Sequence, residues 1–218
     1  MTSLNKIKFL ALLTGLIFSL PALALDGDAK RGQAAAAVCT ACHQADGSGM
    51  NIPGGESWPR LAGLDANYLY KQLLDFKQGE RISASMAPFA AMLNEQQLKD
   101  VAVYYSQLPA TPGQGGQGAD PELLAAGKKL AESGDWDRYI VPCASCHGLG
   151  NQGAGQHFPG IAGQHAGYIE RQLLNWKQGK RENDPQHLML AIAERMSEQD
   201  IKAVAAWLST LPAQGLGE

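Results

Sequence analysis

The chain has 218 residues, 45% of them hydrophobic and 18% charged, a length that accommodates one large domain or two small ones. Its formal net charge is −3 with no basic run anywhere, which excludes a nucleic-acid partner. Outside the N-terminus no apolar tract approaches the ~20 residues of a spanning helix.

Residues 1–24 carry Lys6 and Lys8, a twelve-residue apolar core from Phe9 to Leu20, and the small-x-small sequence Ala22-Leu23-Ala24. This predicts a secretory signal peptide cleaved after Ala24, the apolar core being too short for a membrane anchor. Cleavage leaves 16 basic and 21 acidic residues, a charge of −5. The exported chain enters an oxidising compartment, where paired cysteines are disulfide candidates.

After the leader, Asp28 precedes the Ala-rich run AKRGQAAAAV as a helix N-cap. All four cysteines then fall in two copies of one motif, Cys39-Thr-Ala-Cys42-His43 and Cys143-Ala-Ser-Cys146-His147. The duplication runs on: residues 61–81 and 161–181 match at 11 of 21 positions at an offset of 100, against about one in sixteen for average composition. The first copy of this segment predicts a helix from about Asp65 to Gln78, with Tyr68, Leu69, Gln72, Leu73 and Phe76 on one side and Gly79 as its left-handed stop. A final helix is predicted from Asn94 to just before Pro109, and its counterpart from Ser197 to just before Pro212. Between the copies, Thr111–Asp120 (TPGQGGQGAD) reads as a flexible linker. Asp120 and Pro121 supply an N-cap and first helical residue for the second copy. No strand alternation is present. The predicted architecture is all-α: residues 25–110 and 120–218 form tandem domains, joined by the Gly/Pro/Gln-rich linker 111–119. Units of about ninety residues with short helices bury little apolar surface, so a large apolar group should complete each core.

Cys-x-x-Cys-His is the attachment signature of c-type haem, with the thiols adding to the vinyl groups and the imidazole placed against the iron. Structural zinc would need its Cys pairs some 15 to 20 residues apart, and a thioredoxin-like site would need a βαβ setting. Disulfides would explain neither histidine. The expected cofactors are two covalently bound haem c groups, on Cys39 and Cys42 and on Cys143 and Cys146, with His43 and His147 as proximal ligands.

The sequences CTACH and CASCHG, PRLAG and PGIAGQ, and YLYKQLLDFKQGER and YIERQLLNWKQGKR, over essentially the whole mature chain, resemble the cytochrome c4 family of two-haem class I cytochromes c. Two departures stand out: LAGLD lacks the usual Gln in the first copy, and Gln44 replaces a Gly after the first motif. The resemblance implies two cytochrome c-type domains facing each other and passing electrons in the periplasm. It also implies Pro59 and Pro159 as carbonyl partners of the proximal imidazoles. The expected partners are redox proteins, a cytochrome bc complex as donor and a haem–copper oxidase as acceptor.

For the sixth ligand, the first half offers no histidine besides His43, and Met86 alone among its methionines has a methionine, Met189, at the matched place. Met92 and Met196 read as core filler. In the second half His157, His165 and His187 compete with Met189, and His187 remains the alternative ligand. Arg81 and Arg181 are candidates for the haem propionates. His/Met ligation leaves neither iron an open position, so the chain reads as a carrier rather than an enzyme, with no small-molecule substrate. The rival is a dihaem oxidoreductase or its haem subunit, such as a sulfide or thiosulfate dehydrogenase. Loose membrane association stays open at this point.

Overall fold

The computed structural model describes residues 25–214; the expected signal peptide, residues 1–24, lies outside them. Among the described residues only isolated β-bridges occur, such as Met50 with Trp58, and the rest is helix and loop. The first half contains α1 (Ala29–Ala35), α2 (Thr40–His43), α3 (Ala66–Gln78), α4 (Ala87–Met92) and α5 (Glu95–Gln107). The second repeats the order with α6 (Pro121–Ser133), α7 (Ala144–His147), α8 (Ala166–Lys177), α9 (Leu188–Arg195) and α10 (Glu198–Thr210).

The helix ends follow local chemistry. Asp28 accepts a bond from the Arg31 N–H, Asp65 from the Tyr68 N–H and Asp120 from the Glu122 N–H, each satisfying a free donor of the first turn. Asn94 with Gln97, and Ser197 with Asp200, close reciprocal capping boxes on α5 and α10. Gly79 ends α3 at φ +81°, a left-handed conformation that glycine adopts without strain.

In each half the first and last long helices cross at a glycine. A Cβ on Gly32 would lie 2.0 Å from the Asp100 carbonyl oxygen, and one on Gly127 would lie 2.0 Å from that of Ala203. The backbones of α1 and α5, and of α6 and α10, therefore touch directly. Around these crossings sit small cores: Leu64, Leu69, Val101 and Tyr105 in the first half, and Leu130, Ile169, Leu173, Ile201 and Leu208 in the second.

The linker departs from its expected flexibility. The Gln114 N–H donates to His165 Nδ1 at 3.1 Å, and its carbonyl accepts from the Ala166 N–H at 2.9 Å. Its side-chain oxygen accepts from the Asn51 N–H at 3.2 Å. Gly113 and Gly116 pack so closely on the second half that a Cβ would meet the Ser209 carbonyl at 2.6 Å and the Ala206 carbonyl at 2.0 Å. Small residues, read as a sign of freedom, here permit close packing.

Candidate haem sites

A cavity of about 590 Å³ runs through both halves. In the first half its walls include Cys39, Cys42, His43, Pro59, Leu64, Phe76, Met86 and Tyr105, and in the second Cys143, Cys146, His147, Pro159, Trp176, Met189 and Met196. Both motifs open on short helices: α2 ends at His43 and α7 at His147. Each imidazole is buried. His43 Nδ1 lies 2.9 Å from the Pro59 carbonyl oxygen, and His147 Nδ1 lies 2.7 Å from that of Pro159. A carbonyl only accepts, so Nδ1 carries the hydrogen in both rings and Nε2 keeps its lone pair for a metal. Burial lowers the pKa of both imidazoles against the pull of these carbonyls, which favours the neutral, ligating form.

The four cysteines are free. Burial raises the Cys39 thiol and pushes Cys143 up to about 11. Protonated thiols on an apolar wall suit addition to a vinyl group better than thiolate binding of zinc. Among the described residues no three His, Cys, Asp or Glu side chains converge as a metal site.

The methionines separate cleanly. Met86 is the N-cap of α4, its N–H donating to Ser83 Oγ at 3.1 Å, and its side chain lines the cavity. Met189, in the first turn of α9, lines it too, with its N–H donating to Asp184 Oδ2 at 2.8 Å. Asp184 also accepts from Trp176 Nε1 at 2.9 Å, which ties this turn to α8. His187 is exposed and stands outside the cavity lining. Met196 is core, as expected, but Met92 is 69% exposed: its turn of α4 faces solvent, so it fills no core. His165, a competitor of Met189 on the sequence reading, is fully buried between the two halves and the linker and stands outside the cavity lining.

Arg81 and Arg181 are both buried, and they meet where the two parts of the cavity join. Arg81 donates to Gln72 Oε1 (2.7 Å), Tyr168 Oη (2.9 Å) and Gln172 Oε1 (2.8 Å). Arg181 donates to Gln172 Oε1 (2.9 Å) and Gln72 Oε1 (3.1 Å). Phe76 and Trp176 lie under the two guanidinium groups. Burial, and then the Arg81 charge, lowers the pKa of Arg181. The direct acceptors of both buried cations are neutral, and Asp75 is the carboxylate that acts on Arg81, so further anions nearby would stabilise the pair, since buried charge without full compensation is costly. Carboxylates of a group filling the cavity would provide them. The Tyr105 hydroxyl, buried on the cavity lining of the first half, has no hydrogen-bond partner among the described residues. The residues present fit a haem in each half: an apolar slot, two thiols, a neutral imidazole, a thioether and a guanidinium.

A cytochrome c family model matches residues 29–109 and again 115–212. The chain is 40% identical to cytochrome c4 of Thiocapsa roseopersicina over 85% of its own length and 93% of that protein. It is 39% identical to a thiosulfate dehydrogenase electron acceptor of Stutzerimonas stutzeri, over 96% of its own length and 97% of that protein. Among solved structures, reduced cytochrome c4 of Pseudomonas stutzeri superposes with a TM-score of 0.76 at 34% identity, covering 85% of this chain and all of that one. This chain belongs to the cytochrome c4 family. A thiosulfate dehydrogenase from Marichromatium purpuratum also superposes, at a TM-score of 0.77 and 38% identity, over 84% of this chain and 40% of that one.

As a cytochrome c4 the chain carries two covalently bound haem c groups on its Cys-x-x-Cys-His motifs, and its function is electron transfer between redox proteins. Each haem supplies one-electron exchange at its iron. The sequence missed Tyr168 and the glutamines around the arginines, although Tyr68/Tyr168 and Gln72/Gln172 are identical pairs of the repeat and so carried a signal. Arg60, buried at the seam between the halves, has Gly160 at its matched place, so the repeat carried no signal for it.

Proposed function

We propose that the chain is exported by residues 1–24 and works in the periplasm as a soluble carrier built from two cytochrome domains, residues 25–110 and 120–218. His43 and Met86 hold the first iron, and His147 and Met189 the second. Arg81 and Arg181 hold propionates where the sites meet. The observation that carries this reading is the matched pair of cavity walls, each with a Pro-anchored imidazole and a methionine at the start of a short helix. With both axial positions filled by the chain, its residues bind and orient the groups and keep water off the iron, and they offer no place for a substrate. Among the described residues no helix is long and apolar enough to cross a membrane.

Electrons then pass from a cytochrome bc complex toward a haem–copper oxidase. A second donor is supported by the relatives named as acceptors of thiosulfate dehydrogenase: this chain would take electrons from such an enzyme without oxidising thiosulfate itself. Mixing the oxidised protein with either quinol and a bc complex, or thiosulfate and its dehydrogenase, separates the two. Rapid growth of the reduced haem absorption band in one mixture identifies the donor. Reduction by thiosulfate without any dehydrogenase would overturn the carrier reading.

A further inference from the structure

A polar group on the cavity wall of the first half is left unanswered by the chain. Tyr105, on α5, is 1% exposed and lines the cavity, and its hydroxyl has no hydrogen-bond partner among the described residues. Leaving a buried hydroxyl unpaired is costly, so such a group points to a partner. Packing fixes the ring that carries it. The Tyr105 carbonyl accepts from the Gly63 N–H at 3.1 Å, and the Tyr104 ring centroid lies 5.0 Å from that of Tyr105. A Cβ on Gly47 would stand 3.0 Å from Tyr105 Cδ1.

The neighbour that acts on this hydroxyl is Cys39, which packs against the same small core and lines the same cavity. Burial chiefly, and then the Cys39 sulfur, raise the pKa of the phenol, so it keeps its hydrogen and remains a donor at neutral pH. The second half has no equivalent. Leu208, buried in the core against which Cys143 packs, stands at the matched place. A duplication that matches cysteine for cysteine therefore sets a phenol against the first attachment site and a leucine against the second.

We infer that the Tyr105 hydroxyl donates a hydrogen bond to the Cys39 sulfur once the first haem is attached, so that α5 grips the haem edge held by Cys39. On attachment the sulfur bonds one vinyl carbon and the thiol hydrogen passes to the other, with no net oxidation. What remains is a thioether sulfur, which accepts but cannot donate. A free thiol and a phenol can each donate or accept. The thioether leaves one arrangement, in which Tyr105 is the donor. Attachment of the first haem is thereby coupled to the packing of α5, whereas at the second haem Leu208 contributes apolar contact alone.

The inference rests on covalent attachment at Cys39, which mass spectrometry of the wild-type protein reports by itself. The test uses the full two-haem protein as wild type, Tyr105→Phe, Cys39→Ala and the double variant, with Cys42 still bonded to the first haem throughout. In chemical denaturation, Tyr105→Phe should raise the unfolding equilibrium constant about fivefold, the net worth of one neutral hydrogen bond. In the Cys39→Ala background the same substitution should cause no loss, because the coupling resides in the pair. Proton magnetic resonance of the reduced protein should show a slowly exchanging Tyr105 hydroxyl in contact with the Cys39 β protons, and Tyr105→Phe should lack it. This signal decides the matter if Cys39→Ala does not accumulate. A hydroxyl without a partner in the loaded protein gives the opposite sign, since Tyr105→Phe then removes an unpaired buried group and leaves stability unchanged or improved. That result, or an equal loss in both backgrounds, would overturn the inference.

Discussion

At the scale of single residues, the two sites rest on groups whose protonation and donor capacity are set by their neighbours. The Pro59 and Pro159 carbonyls orient His43 and His147, and the methionines enter from helix starts that are themselves anchored. Met86 is replaceable by a stronger donor without touching the covalent attachment. Met86→His should leave the haem bound and lower the first potential, because a thioether raises the potential relative to a second imidazole. The second wave should barely move, and a redox titration with both waves at their wild-type positions would contradict the ligand assignment. The Cys-x-x-Cys-His motifs were legible because chemistry fixes their residue types, and the duplication fixes the register that brings Met86 and Met189 to matched places on the cavity lining. Arg60 was not legible. A buried arginine that donates to carbonyls from a separate part of the chain has no local spacing to betray it.

At the scale of helices, the capping residues Asp28, Asp65, Asn94, Asp120 and Ser197 announced their helices, since a side chain that satisfies a first-turn N–H acts locally. The short α4 and α9 went unread, being too brief for a periodic pattern and fixed by packing instead. The α1–α5 crossing yields a prediction. Gly32→Ala should cost roughly 1–3 kcal/mol or more by overpacking, because the new methyl meets backbone. Gly79→Ala, where a Cβ meets nothing within 4 Å, should cost only the strain of its positive φ, about 1 kcal/mol. Beside the crossing, buried Asp100 accepts from Arg31 Nε and Nη2, the Asp28 N–H and Gln96 Nε2. Chiefly through Arg31, these hold its carboxyl well below the usual carboxylate range. Its contribution is therefore complete above the unfolded value of about 3.9 and is lost as pH falls below that toward the folded value. Asp100→Asn should destabilise the first domain by about 2 kcal/mol at pH 7. Thermal melts of the two proteins should converge as the pH is taken from 5 down to 2. A gap independent of pH would show that the carboxylate is not the source.

At the scale of the whole molecule, the duplication has been made asymmetric where its halves meet. In the first half Asp65 caps its own helix, whereas His165 at the matching place caps nothing. The free N–H groups of α8 go instead to the linker and the other domain: Ala166 to the Gln114 carbonyl, and Gly167 to Asn51 Oδ1 at 2.9 Å. The His165 ring bridges the same seam. Nδ1 accepts from the Gln114 N–H, so Nε2 carries the hydrogen and donates to the Ser48 carbonyl at 2.7 Å. Burial chiefly, and the neighbouring Arg60 charge, lower its pKa, while the Ser48 carbonyl opposes them. The docked form thus binds this proton less readily than a separated or unfolded chain, whose imidazole titrates near 6.5. Docking is favoured fully above about pH 6.5 and progressively less as pH falls below it toward the docked value. Protonation removes the acceptor for Gln114 and sets a second cation beside Arg60. We expect small-angle scattering to show the two domains separating, and electron exchange between the haems to slow, as pH drops from 7.5 to 5. His165→Asn keeps an acceptor for the Gln114 N–H but cannot titrate, so it should flatten both profiles. If the variant followed the wild-type pH dependence, the seam would be opened by some other acid group, and His165 would be only one of its contacts.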